Sequence, residues 1–90
     1  MRCEEKIPDG KMIAIEVWAS GSVVSRAKIT GDFFLHPEEM IARLEGALVG
    51  IPLSAAEAEV ADRIRAALGG SELIGASADD FARIFVRAVR

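Results

Sequence analysis

The hydrophobic pattern of this 90-residue chain changes its period once, close to residue 35. Before that point apolar and polar residues alternate, which is typical of strands. After it, apolar residues recur about every three to four positions, which is typical of amphipathic helices. The length suits one compact domain. The sequence therefore predicts a single domain over residues 1–90, with strands over about 2–34 and helices over about 36–90.

The first third of the chain predicts a β-hairpin. In the segment from residue 12 to 20, Ile13, Ile15, Val17 and Ala19 occupy one face, and Ser20-Gly21 then supplies a turn. In the segment from residue 23 to 31, the predicted inward-facing residues are Val23, Ser25, Ala27 and Ile29. Residues 2–7, followed by the turn sequence Pro8-Asp9-Gly10, are predicted as a third, edge strand.

Three apolar stripes predict three helices after the hairpin. They are Met40, Ile41, Leu44, Ala47 and Leu48; Val60, Ala61, Ile64, Ala67 and Leu68; and Phe81, Ile84, Phe85, Ala88 and Val89. Pro37 suits the first position of the first helix, because no intrahelical partner exists there for an N–H. Ser54 and Glu57 have the spacing of a capping box for the second helix, and Ser77 is a candidate N-cap for the third. Three amphipathic helices and a hairpin with one apolar face predict an α+β fold, in which a small antiparallel sheet of two or three strands is packed on one side by three helices.

The composition excludes several classes of function. The net charge of −3 argues against nucleic acid and anionic membranes, both of which need clustered Lys and Arg. No apolar run reaches the roughly 18–20 residues of a membrane span, and the charged start of the chain lacks a signal-peptide core. A single cysteine, Cys3, allows no internal disulfide. A cytoplasmic location is therefore expected.

Few residues are suited to catalysis. His36 is the sole histidine, and its place before Pro37 predicts a structural role at a helix start. One Cys and one His cannot form a usual zinc site, and no nucleophile–base–orienter set is evident. An independent enzyme is therefore the least favoured of the function classes.

Two features are candidates for binding. The less apolar face of the hairpin groups aromatic, cationic and polar side chains, which suits a binding surface or a face partly covered by the chain itself. Its residues are Met12, Glu16, Trp18, Arg26, Lys28 and Thr30. The second feature is the pair Phe33-Phe34. Neighbouring strand residues point to opposite faces, so one ring enters the core and the other needs cover from the same chain or from a partner.

Several motifs, in this order, resemble one known family. The run from Lys28 to Phe34, Lys-Ile-Thr-Gly-Asp-Phe-Phe, is similar to a hallmark of the C-terminal accessory domain of lipoate–protein ligases. The opening from Lys6 to Lys11 resembles that family's opening, although Asp9 stands where a second glycine is often found. Pro37-Glu38-Glu39 and the helix to Gly50 are also similar, and the resemblance covers about residues 4–68.

The resemblance implies an accessory subunit of a bipartite lipoate–protein ligase. In that family a larger catalytic chain binds lipoate and ATP, forms lipoyl-AMP and transfers the lipoyl group to a lysine of an acceptor domain. The accessory domain serves the adenylation step, and in some organisms it is a separate chain of a heterodimer. The expected partner is thus a catalytic subunit that holds lipoate, ATP and Mg²⁺, with no cofactor bound by this chain alone.

The resemblance and the residue pattern together predict which residues touch the partner or close its active site. They are Lys11, Lys28, Gly31, Asp32, Phe33, Phe34, Trp18 and Arg26. No catalytic residue and no metal ligand is predicted in this chain. The alternative is a non-catalytic protein-interaction or dimerisation module that is unrelated to lipoate.

Overall fold

The computed structural model of the chain describes residues 1–8 and 11–90. Its elements are β1 (Arg2–Lys6), β2 (Met12–Ser20), β3 (Val23–Gly31), β4 (Phe34–His36), α1 (Met40–Leu48), α2 (Glu57–Leu68), β5 (Glu72–Ile74) and α3 (Ala78–Val89). An antiparallel sheet has the order β1-β2-β3, and β4 and β5 form a separate two-stranded sheet. The predicted α+β fold is confirmed. The predicted turn at Asp9 and Gly10 lies outside the described residues.

One face of the β1-β2-β3 sheet forms the core with the helices. Helix α3 packs on β1 and β2, α1 packs on β3, and α2 contacts both other helices. The predicted apolar stripes face the core, and most of their side chains are fully buried. The largest fully buried side chains include Ile13, Ile15, Val17, Leu44, Leu48, Ile64, Phe81 and Phe85. In the described part of the chain, no helix packs on the opposite face of the sheet, as is common for antiparallel sheets.

A β-bulge corrects one part of the predicted hairpin. Val24 is 1% exposed and Val23 is 39% exposed, which is the reverse of the predicted orientation. The ladder between β2 and β3 shifts its register between Trp18 and Ala19. Such a shift moves the alternation by one residue, so Val24 enters the core, whereas Ala19 is exposed although it was assigned to the apolar face.

The outer edge of β3 is protected by the chain that follows it. Val24 donates its N–H to the carbonyl of Ile51 at 2.9 Å, and its own carbonyl accepts the N–H of Gly50 at 2.8 Å. Further along the strand, the Glu45 carboxylate accepts the N–H of Ile29 at 2.8 Å. These bonds satisfy backbone groups that an edge strand would otherwise offer to another chain.

Two predicted helix starts are wrong and one is confirmed. Helix α1 begins at Met40, not at Pro37. Met40 and Ile41 donate their N–H groups to carbonyls three residues back, at Pro37 and Glu38, so residues 37–39 form a turn before the α-helix. Helix α2 begins after Ala56 without a side-chain cap. The predicted Ser54 cap is wrong: Ala55 is buried and donates its N–H to the carbonyl of Pro52, so Ser54 lies in a turn before the helix.

At α3, Ser77 and Asp80 form a reciprocal capping box. The carboxylate of Asp80 also accepts a hydrogen bond from Arg83 at 2.9 Å. Arg83 and Arg87 both reach Glu5 on β1. This network fixes the first turns of α3 against the edge of the sheet.

Candidate interaction surfaces

The end of β3 explains why a glycine stands at position 31. A Cβ atom built on Gly31 would collide with the carbonyl oxygen of Met12. The same carbonyl accepts the N–H of Asp32 at 2.9 Å. The start of β2 and the end of β3 therefore approach each other more closely than any side chain at position 31 would allow.

The two aromatic rings that follow have different surroundings. Phe33 meets Phe81 edge-on, with ring centroids 5.1 Å apart, so this ring is covered by the chain itself. Phe34 is 51% exposed and lies parallel to the His36 ring at 6.2 Å. Cover from the same chain is therefore found for Phe33 but not for Phe34. The predicted role of His36 at a helix start is wrong, because its ring stacks on Phe34 at the surface.

The β4–β5 sheet separates a buried pair from an exposed pair. Leu35 faces Leu73 across the sheet, and both pack into or against the core. On the other face Phe34 is paired with Ile74, which is 55% exposed. This exposed surface, named here the β4–β5 outer face, consists of Phe34, His36, Glu72 and Ile74.

A groove of about 460 Å³ adjoins the β4–β5 outer face. It is lined by Ile29, Thr30, Gly31, Phe33, Phe34, Leu35, Glu38 and Ile41. Close to the same end of the molecule, the aliphatic stem of Lys11 lies against Gly75, which follows Ile74. The fold thus brings five of the predicted site residues to one end, namely Lys11, Gly31, Asp32, Phe33 and Phe34.

The other three predicted site residues lie on the open face of the β1-β2-β3 sheet. Trp18 pairs with Arg26 across the strands, and Glu16 pairs with Lys28. The Arg26 guanidinium lies over the Trp18 ring, 4.6 Å from its centroid. A small pocket of about 100 Å³ is lined here by Arg2, Ala14, Glu16, Lys28 and Thr30. Opposite charges on this face stand next to one another.

The sequence interpretation missed the contribution of β5. Leu73-Ile74 is a short apolar run between Ser71-Glu72 and Gly75, and three residues carry no usable period. The only available signal for β5 was an apolar dipeptide between two glycine turns.

A second groove, of about 510 Å³, lies at the other side of β4 between α1 and the residues that lead into β5.

The groups with shifted pKa values lie on α2 and α3. Hydrogen bonds to Asp62 and Asp79 raise the pKa of Arg65 on α2. Partial burial alone would raise the pKa of Asp80, but hydrogen bonds from Arg83 and Ser77 outweigh it and lower this pKa below its ordinary value. The hydrogen bond to Asp80 raises the pKa of Arg83.

Residues 1–8 and 11–90 contain no group of three or more His, Cys, Asp or Glu placed to hold a metal ion. Over the same ranges, no helix has the length and apolar character needed to cross a bilayer.

Comparison with known proteins finds similarity to a solved structure. No protein-family model matches the chain, and no curated protein does. A chain in the solved archaeal lipoylation system of Thermoplasma acidophilum, a bipartite lipoate protein ligase with its E2 lipoyl domain, matches with a TM-score of 0.76 and 27% sequence identity. The match covers 100% of this chain and 93% of that chain.

The resemblance to lipoate–protein ligase accessory domains is confirmed. The match extends over α3, where the sequence motifs gave little guidance. Of the motifs that carried the resemblance, the run from Lys28 to Phe34 meets the start of β2, which directly follows Lys11.

Proposed function

We propose that this chain is the accessory subunit of a bipartite lipoate–protein ligase. In this proposal it forms a heterodimer with a separate catalytic subunit, which binds lipoate, ATP and Mg²⁺ and needs the accessory chain to form lipoyl-AMP. The observation that supports it most strongly is the full-length match, at 27% identity, to a chain of a bipartite lipoylation system. Transfer of the lipoyl group to an acceptor lysine is assigned to the catalytic subunit.

The chemistry of activation suits a helper without a nucleophile. A carboxylate oxygen of lipoate attacks the α-phosphorus of ATP, a mixed anhydride with AMP forms, and pyrophosphate leaves. Such a step gains from exclusion of water and from cations placed near the phosphates. A docked domain can supply both by closing over the site, and this chain offers exposed apolar surface and exposed lysines.

Two lysines were predicted to act near the partner's active site, and they lie in different regions. Lys28 stands across the strands from Glu16 on the open face. Lys11 lies against Gly75, close to the β4–β5 outer face. We propose Lys11 as the cation that approaches the phosphates, because it shares its end of the molecule with the Gly31–Phe34 motif. The rate of lipoyl-AMP formation should fall in Lys11→Ala with unchanged heterodimer affinity.

The decisive experiment measures lipoate-dependent pyrophosphate release by the catalytic chain, with and without this protein. Release that requires both chains, together with inactivity of this chain alone, supports the proposal. Equal release by the catalytic chain alone, with no co-elution of the two chains, contradicts it. The alternative of an interaction or dimerisation module unrelated to lipoate would then take its place.

A further inference from the structure

The β4–β5 outer face presents an apolar pair to solvent. Phe34 and Ile74 are cross-strand neighbours, and each exposes about half of its surface, 51% and 55% respectively. Cross-strand neighbours lie roughly 4.5–5.5 Å apart at Cβ, so the two side chains form one continuous apolar surface. Adjacent exposed apolar side chains of this kind mark interaction sites more often than scattered single ones do.

The adjoining groove extends this surface inward. Its walls include the buried side chains of Ile29 and Leu35 and the partly buried side chains of Phe33 and Ile41. Phe34 belongs both to the groove and to the outer face. A partner side chain that entered the groove would therefore contact the core of the domain while its neighbours covered Phe34 and Ile74.

Three carboxylates at this surface are exposed, and among the described residues the nearby cation Lys11 forms no ion pair with any of them. Asp32, Glu38 and Glu72 are exposed at or beside the groove and the outer face. Within residues 1–8 and 11–90, none of these three carboxylates has an ion-pair partner. An apolar centre with an unpaired acidic rim is complementary to an apolar side chain flanked by Lys or Arg.

We propose that the β4–β5 outer face and its groove are the surface that docks onto the catalytic chain. The catalytic chain inserts an apolar side chain beside Phe34 and Ile74, and its neighbouring Lys or Arg residues pair with Glu38 and Asp32. This inference rests on the proposed function and adds to it the docking surface and the chemistry of the partner. It also places the docking contacts next to Lys11.

A second copy of this chain is a poorer occupant. A two-fold interface brings the same patch of both copies together, so the acidic rim would face another acidic rim. Like charges brought together across an interface oppose association. The charge pattern therefore favours a basic, different partner over self-association.

The test compares two double variants with the intact chain. Phe34→Ser/Ile74→Ser removes the apolar pair, and Val23→Ser/Val49→Ser removes two similarly exposed apolar side chains elsewhere, at 39% and 45% exposure. Affinity for the catalytic chain is measured by calorimetry, and far- and near-UV circular dichroism checks the fold. We expect the first variant to bind at least about thirty-fold more weakly, as for an interface hot spot, and the second to stay within about three-fold.

The outcomes separate the inference from the proposed function. If the intact chain binds and activates the catalytic chain and the Phe34→Ser/Ile74→Ser variant binds as tightly, the docking surface is wrong and the accessory function stands. If the intact chain neither binds nor activates, both proposals fall. If the double variant does not fold, Ile74→Ser alone is compared with Val49→Ser, and equal affinities of these two would overturn the inference.

Discussion

The open face of the β1-β2-β3 sheet and the β4–β5 outer face both expose an aromatic ring, but in different surroundings. On the open face Trp18 is 37% exposed and carries the Arg26 guanidinium over its ring, while Glu16 and Lys28 stand opposite each other. On the β4–β5 outer face, Phe34 has an apolar neighbour, Ile74, and unpaired carboxylates around it. The Arg26–Trp18 contact on the open face is already made within the chain and gains little from a partner. The exposed apolar pair and the unpaired carboxylates of the β4–β5 outer face have more to gain from one.

The difference arises from strand length and pairing. The strands β2 and β3 are nine residues long, so cross-strand partners of opposite charge can be placed side by side along the ladder. The strands β4 and β5 have three residues each, and one face of each is needed for the core through Leu35 and Leu73. Few positions remain on the other face, and apolar residues occupy two of them.

The largest expected effect concerns Gly31, which lies between the two surfaces. Gly31→Ala places a methyl group against the Met12 carbonyl and should lower the free energy of unfolding by about 2–4 kcal/mol, in the range of strained or overpacked sites. Chemical denaturation measures this. Gly46→Ala is the matched control, since no atom stands near its Cβ position and a helical Gly-to-Ala change should stabilise by about 0.5–1 kcal/mol. Equal effects would show that the strand ends tolerate a side chain.

The next prediction compares the effect on partner binding of a charge reversal on each of the two surfaces. Glu38→Lys, beside the groove, should weaken binding to the catalytic chain about ten-fold, because it opposes the expected basic residues of the partner. Glu4→Lys, on the strand β1 where Glu4 pairs with Arg2 at 3.8 Å, should change binding less than about three-fold. Titrations at two salt concentrations check both, since the Glu38 effect should shrink as salt screens it. A larger effect for Glu4→Lys would favour the open face.

A variant that touches neither surface tests whether stability alone explains a loss of binding. Asp80→Asn removes the charge from the α3 capping box and from the hydrogen bond to Arg83. It should lower the free energy of unfolding by about 1–2 kcal/mol. Heterodimer affinity well below the unfolding temperature should be unchanged. Weaker binding by Asp80→Asn would mean that the docking surface depends on α3.

The same residue gives a pH dependence of known sign. The pKa of Asp80 is lowered in the folded chain, so its contribution to stability is present above the ordinary carboxyl pKa near 3.8 and is lost as the pH falls through the lower folded value. Thermal unfolding of the intact chain should therefore show a larger loss of stability below about pH 4 than Asp80→Asn shows. Parallel curves for the two chains would argue against this contribution.

The smallest expected effect lies on the open face. Arg26→Ala should lower the free energy of unfolding by about 0.5–1 kcal/mol, as for an exposed cation–π contact.

Trp18 is the only tryptophan in the chain, so its fluorescence reports on this face alone. The emission maximum should stay unchanged when a tryptophan-free form of the catalytic chain binds. A clear blue shift would place the partner over Trp18 and would reverse the comparison.

Local pattern by itself determined much of this molecule. Alternation predicted the buried side chains Ile13, Ile15 and Val17, and the helical stripes predicted the buried faces of three helices, because both periods follow directly from backbone geometry. Ser77 was found as a cap because capping is settled within one turn of helix. The family resemblance also came from sequence, since its motifs are contiguous runs of residues.

Only the tertiary structure decided which surfaces are open. The bulge between Trp18 and Ala19 reversed Val23 and Val24, and no local pattern marks a bulge. The pairing of Phe34 with Ile74 joins segments 40 residues apart, and it exists because α1 and α2 bring the chain back beside β4. Strands of three residues carry no period, so the exposed apolar pair and its acidic rim appear only once the chain is folded.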